Sequence, residues 1–243
     1  MEILLNNNDV RKYRQLSKQI NNDNFNGHVR TIQFNQLSEV LGNALHYDFF
    51  NYLANSWTTQ SGTFTVDSTT QITAAGIDLS TWSDYAIKIN STVFVIVETA
   101  TFGGVDTVLT VTGYDLPTTI TNLEYKTENN YIKLLNGTAY TYENNTISFE
   151  GLRPFLTWHF LTSYLVDGDL KQADVGNKNI IGDLYTNISQ NTIKAAKSEY
   201  LENAIRSRNN IVQYLDTERS DFEKWIYSGA EKENLLNYNM MVV

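Results

Sequence analysis

The hydrophobic period of this chain changes twice, and no other feature limits so strongly what it can fold into. Up to about residue 56 apolar side chains recur every three or four positions. From Gly62 they alternate, as in Phe64 and Val66 or Ile87 and Ile89, and after Pro154 the longer spacing returns. A period near 3.6 buries one face of a helix, and a period of two buries one face of a strand. Composition shifts at the same borders: residues 57–150 hold 21 threonines, with ten acids against three bases. The expectation is an α+β protein, with N- and C-terminal helices forming the core and an antiparallel β insertion between them. Its parts are an N-terminal helical part (1–56), a β-rich insertion ending in a hairpin meander (57–150), a C-terminal helical part (151–229) and an extended docking tail (230–243).

Local signals fill in this outline. Asp9 is placed to cap a short helix carrying Val10, Tyr13, Leu16 and Ile20. Val29, Ile32, Leu37, Val40 and Leu41 mark a second helix; Gly42 interrupts it before Leu45, Phe49, Tyr52 and Leu53 continue, which predicts an angled pair. The run Val93–Val97 needs cover on both faces, from another element or from another subunit. Gly103-Gly104 turns it into an antiparallel partner through Val108, Leu109 and Val111. Asn136-Gly137 between Tyr131–Leu135 and Thr138–Tyr142 predicts a type I′ hairpin, and Asn144-Asn145 a second turn into Thr146–Phe149. Pro154 suits the first turn of a helix whose stripe is Phe155, Leu156, Phe160, Leu161, Tyr164 and Leu165. A polar loop is expected over 167–179, then a long helix from near Ser189, a further turn with Phe222 and Trp225, and an apolar end from Leu235 to Val243.

Charge and residue types exclude several functions. Eighteen bases against 27 acids give a net charge of -9 and a pI near 4.8, so phosphate backbones and anionic lipids are repelled by the chain as a whole. With no cysteine there is no disulfide, thiolate metal site or thiol chemistry. The first residues lack a basic, then apolar, leader and no stretch is long enough to span a membrane, so synthesis in the cytoplasm is expected. His28, His46 and His159 lack the spacing of a zinc site and read as packing residues. Neither a nucleophile elbow nor a phosphate-cradling glycine loop is present. Asp167-Gly168-Asp169 opens like a calcium loop but Leu170-Lys171-Gln172 supplies no further ligands. Glu98, Asp106 and Glu124 could pair for glycoside hydrolysis only if the sheet juxtaposes them. Trp57 and Trp82 could stack on sugars, or simply pack across strands. No catalytic residue, cofactor or metal ligand is assigned.

The order of parts resembles tailed-phage head-to-tail connectors: an N-terminal helical pair with Leu41-Gly42, a β insertion, Gly151-Leu152-Arg153-Pro154, and two C-terminal helices. It is similar in particular to the ring protein of crAss-like phages, where a stretch like Tyr131–Tyr142 leads through Ser148-Phe149-Glu150-Gly151-Leu152 into a helix. The likeness covers residues 8–54 and 131–226, and departs from it in the Asn- and Phe-rich stretch Phe34–Gly42. It implies a helical connector core and a non-enzymatic structural role: a ring of twelve copies under the portal of the virion, made in the host cytoplasm, joining portal protein to the next neck ring or tail protein. Genomic DNA would pass through its lumen without specific binding, and no membrane is involved. A carbohydrate-binding virion module is the alternative, and an undetected glycoside hydrolase a third reading. Three groups are candidate interface residues: Ile193, Tyr200, Ile211, Tyr214 and Trp225 on the C-terminal helices; Val93, Val95 and Val97 on the doubly apolar strand; and Leu235, Leu236, Tyr238, Met240 and Met241 in the tail. The tail is expected to dock on the portal or a neighbouring subunit, and the insertion to face a neighbour.

Overall fold

A computed structural model describes residues 3–13, 22–171, 178–181, 184–187 and 190–225. The α+β expectation holds, and the reciprocal capping at the N-terminus shows how locally it begins. Helix α1 (Asn7–Arg11) starts from Asn6, not Asp9. The Asp9 amide donates to Asn6 Oδ1 at 3.1 Å and the Asn6 amide to Asp9 Oδ2 at 2.8 Å. The acid is thus the third-position partner of a capping box, which satisfies two amides that the helix itself leaves unbonded. Leu16 and Ile20 lie outside the described residues. Helix α2 (Asn22–Ala54) buries Phe25, Val29, Leu37, Val40 and Leu41, then Leu45, Phe49 and Leu53. Gly42 breaks it as predicted, with φ 71° and ψ 157°, a region essentially reserved for glycine.

The insertion is a seven-stranded antiparallel sheet of β1 (Thr58–Thr59), β2 (Thr63–Ser68), β3 (Gln71–Ala75), β4 (Ala86–Ile89), β5 (Val93–Phe102), β6 (Thr107–Thr112) and β7 (Leu123–Lys126), ordered β1-β7-β4-β5-β6-β3-β2. Strand β5 is central, which answers the question its composition raised. Phe94 and Ile96 enter the core shared with the helices, while Val95 and Val97 join Ile72, Ile87, Leu109, Val111 and Leu123 on the other face. A turn of 3-10 helix at Ser80–Trp82 and Tyr114, Leu116 and Ile120 of the following loop pack against that second face. Cover on both faces therefore comes from this chain, and a neighbour is not needed to supply it. The sheet's edges are blunted: β1 has two residues, and β2 is rich in hydroxyls with an irregularity between Val66 and Ser68.

Residues 130–137 depart from expectation. Asn130–Asn136 is helix α3, not a strand, and buries Ile132, Leu134 and Leu135. Gly137, at φ 96°, ends it with its amide on the Lys133 carbonyl at 2.8 Å. A positive φ serves a helix stop as well as a hairpin, so Asn-Gly alone did not separate the two. The hairpin that does form pairs β8 (Thr138–Tyr142) with β9 (Asn145–Phe149). Its two-residue turn is Glu143-Asn144, both with positive φ, one position before the predicted pair. Helix α4 (Leu152–Lys171) runs through the first five residues of the expected polar loop, and β10 (Lys178–Ile181) and β11 (Leu184–Asn187) form a hairpin where the loop was to end. Helix α5 (Gln190–Thr217) packs along α4. Among the described residues no helix is long and apolar enough to cross a membrane.

Candidate interaction surface

The Gly-Leu-Arg-Pro motif forms a junction between parts of the chain. Gly151 (φ 86°) lies against Gly137, so close that a Cβ on it would stand 2.6 Å from the Leu135 carbonyl oxygen and 2.5 Å from the Gly137 nitrogen. Two glycines are thus what lets the end of α3 touch the start of α4. Leu152 is fully buried beside them. Arg153 reaches back across the fold: Nε donates to Asn136 Oδ1 at 2.9 Å, Nη1 donates to the Leu4 carbonyl and lies 3.6 Å from Asp9 Oδ2, and the guanidinium sits 4.1 Å from the centre of the Tyr114 ring. Tyr114 donates to Asp9 at 3.2 Å and accepts from Asn6, while Asn136 Nδ2 donates to the Phe94 carbonyl at 2.6 Å. Burial pulls the Arg153 pKa down and Asp9 opposes it; burial pushes the Tyr114 hydroxyl up to about 12. One planar five-donor fork therefore ties the N-terminal segment, α3, α4 and the β6–β7 loop together.

A second joint fixes α2 on the sheet. This helix has no basic residue in its last turn to meet its exposed carbonyls. The sheet supplies two: Lys126 Nζ donates to the Tyr52 carbonyl at 2.6 Å and Lys88 Nζ to that of Leu53 at 3.5 Å, where cations are favoured by the helix dipole. Lys126 lies 3.7 Å from the Tyr52 ring centre and 4.7 Å from that of Trp57, and Lys88 pairs with Glu124 at 3.9 Å. Burial lowers the Lys126 pKa to about 8, partly opposed by Glu128. The insertion's third base, Lys133, meets Asp84 at 3.4 Å, so all three cations of this acidic block are engaged inside the chain.

The predicted interface residues fare unevenly. Val95, Val97, Ile211, Tyr214 and Trp225 are buried within this chain and cannot meet a partner without unfolding. Tyr214 stacks on Phe149 of β9 at 4.3 Å, and Trp225 donates to the Val40 carbonyl at 3.5 Å; amphipathic stripes read as contacts between subunits are contacts between elements of one subunit. Val93 packs on the sheet's second face, and Tyr200 is half-buried beside Trp158. The side chain of Ile193 lies outside the described residues, as do Leu235, Leu236, Tyr238, Met240 and Met241.

Nor do the candidates for chemistry converge. Glu124 pairs with Lys88, opposite Phe94 in the register, and Asp106 holds the Gly76 amide at 2.8 Å beyond the far end of β5. Glu98 sits on β5 four residues from Phe94, which puts roughly 13 Å or more between it and Glu124, too far for a hydrolytic pair. Asp167-Gly168-Asp169 lies inside α4, where a helical backbone cannot wrap an ion. Trp82 is buried, stacked with Tyr85 and tilted against Tyr125. Burial lowers the pKa of His159 to about 4, helped by Arg208, and that of His46 as well. His28 bonds to Ser163 at 2.9 Å.

The surface feature that sequence reasoning missed is a crook in α2. Phe34 and His46 are twelve residues apart, about 18 Å along an unbroken helix. Their ring centres are 5.7 Å apart, so the two limbs fold toward each other at Gly42. Phe34, His46, Tyr47 and Phe50, with Asn51 and Asn55, line an apolar groove of about 760 Å³. Phe34 is 57% and Tyr47 72% exposed. His46 Nε2 is enclosed and finds no partner among the described residues. A signal existed: Phe34 and Tyr47 fall off the buried stripe of their helix, leaving two large aromatics on its outer side. Around the helix from this groove, a cleft of about 490 Å³ is lined by Asp48, Tyr52, Tyr125, Lys126, Glu128 and Tyr131.

No curated protein and no solved structure matches the chain. A family model matches residues 111–234, a span that starts in β6 and takes in α3, the glycine pair and Arg153 but not α2 or the first five strands. That span is just over half of the chain, and the protein therefore belongs to DUF6712, a family of unknown function.

Proposed function

We propose that this protein is a non-catalytic structural subunit, a head-to-tail connector of a tailed-phage neck that assembles as a ring under the portal. The observation that carries the reading is the junction at Gly151–Pro154. The residues on which the resemblance to connectors rests are those that bind the helical part, the β insertion and the N-terminal segment into one body. Such a body suits a ring, because a heterologous contact repeated around an axis requires subunits that keep one shape. Helix α5 offers Lys194, Lys197, Glu199, Glu202 and Arg206 on its exposed side, a mixed-charge surface fit for lateral contact. A net charge of -9, with the insertion's cations engaged internally, suits a lumen through which DNA slides without adhering. Twelve copies, the portal and a further neck or tail protein are the partners of this reading. Negative-stain electron microscopy of the purified protein, alone and mixed with portal, tests it: closed rings support it, and particles that stay monomeric in both samples refute it.

The cleft beside Lys126 favours one alternative, a carbohydrate-binding virion module. Three tyrosines and two carboxylates around about 490 Å³ are the residue types that hold a sugar. Quenching of Trp57 fluorescence by glycans, abolished in Tyr131→Ala, would support this reading over the first.

A further inference from the structure

The α2 crook is an apolar groove with two exposed aromatics, and its neighbourhood indicates what fills it. The last described residues bring the chain to both limbs of that helix. Trp225 Nε1 donates to the Val40 carbonyl, before Gly42, and Lys224 Nζ meets Asp48 Oδ2, after it, at 2.6 Å. Residues 226–234 can span up to about 30 Å when extended, more than the path around one helix. Beyond them comes Leu235-Leu236-Asn237-Tyr238-Asn239-Met240-Met241-Val242-Val243, without a charged side chain and with seven apolar residues of nine. Leucine, methionine and valine match an aromatic groove, methionine sulfur in particular favouring ring edges. The segment also carries groups able to donate to or accept from His46 Nε2, in its two asparagine amides and the Tyr238 hydroxyl.

We infer that residues 235–243 fold back in cis into the Phe34–His46–Tyr47–Phe50 groove of their own chain. A tether this short gives a local concentration in the millimolar range, so a modest apolar contact is enough to keep the segment docked. The docking covers His46 and removes from water Phe34 and Tyr47, the two most exposed aromatics among the described residues. It holds whether or not the protein forms rings, so its failure and the failure of the connector reading are separate results.

The absence of cysteine makes the test simple. Two variants of the full chain, Tyr47→Cys/Tyr238→Cys and Tyr47→Cys/Met241→Cys, cover two registers and leave the buried core intact. Each is oxidised at about 1 µM and run on a non-reducing gel beside its single-cysteine parents. An internal disulfide in at least one double variant, formed at least tenfold faster than in urea and slowed at least tenfold by adding Phe34→Ser, is the expected result. A covalent dimer would mean that the tail of a second copy fills the groove and would overturn the inference. So would cross-linking no faster than in urea, or cross-linking indifferent to Phe34→Ser.

Discussion

Replacing Arg153 by methionine keeps most of the side chain's volume and removes its fork. The loss leaves Asp9, 5% exposed, with its charge and no cation, and frees the Leu4 carbonyl and Asn136 Oδ1 at once. Breaking a buried charge pair by removing one partner costs about 3–5 kcal/mol, since the remaining charge cannot return to water. Against a total of about 5–15 kcal/mol for an ordinary domain, that is a large fraction. Urea unfolding followed by circular dichroism should show the midpoint fall with little change in slope. Hydrogen exchange should show the amides of Leu4 and Asn6, now held by Gln33 and Asp9, opening before the rest. Adding Asp9→Leu to Arg153→Met completes a cycle whose coupling should be about 2–3 kcal/mol, because the second change removes the stranded charge. A loss below about 1 kcal/mol for Arg153→Met, or a coupling below about 0.5, would refute the view that this arginine joins the segments.

Gly42→Ala meets no atom within 4 Å yet should cost about 1–3 kcal/mol, because φ 71° and ψ 157° exclude a side chain; Gly27→Ala, with equal space and no positive φ, should instead stabilise by up to about 1 kcal/mol. Differential scanning calorimetry of the pair separates conformation from packing. His159 titrates at about 4 when folded and near 6.5 when unfolded, so the unfolded chain takes the proton first as pH falls. Stability present above pH 6.5 is lost toward pH 4, by about 3 kcal/mol, and His159→Leu should flatten that slope in urea titrations. Lys126 acts in the same direction at higher pH: at about 8 when folded against 10.5 unfolded, it makes stability rise as pH climbs through the window between them. Lys126→Met should remove that rise between pH 8 and 9.5, below the range where the tyrosines ionise.

Periodicity alone separated helical from extended parts, and Gly42 announced the break in α2, because helix and strand bury their faces at different spacings whatever they pack against. Sequence also placed Pro154 in the first turn of α4 and the strands on either side of Gly103-Gly104. What it left open was the recipient of each apolar face. Val95, Ile211 and Trp225 were equally suited to a second subunit or to this one, and only the three-dimensional arrangement assigned them to the chain's own core. The same holds for Tyr131–Leu135, whose pattern fits strand or helix until α4 and Gly151 supply the surface against which Ile132 and Leu135 are buried. Arg153 was visible as a letter in a motif, but its partners lie 17, 144 and 149 residues away, at Asn136, Asp9 and Leu4. Local spacing records which side of an element avoids water. Which other element receives that side depends on contacts far apart in sequence, and those exist only once the chain has closed on itself.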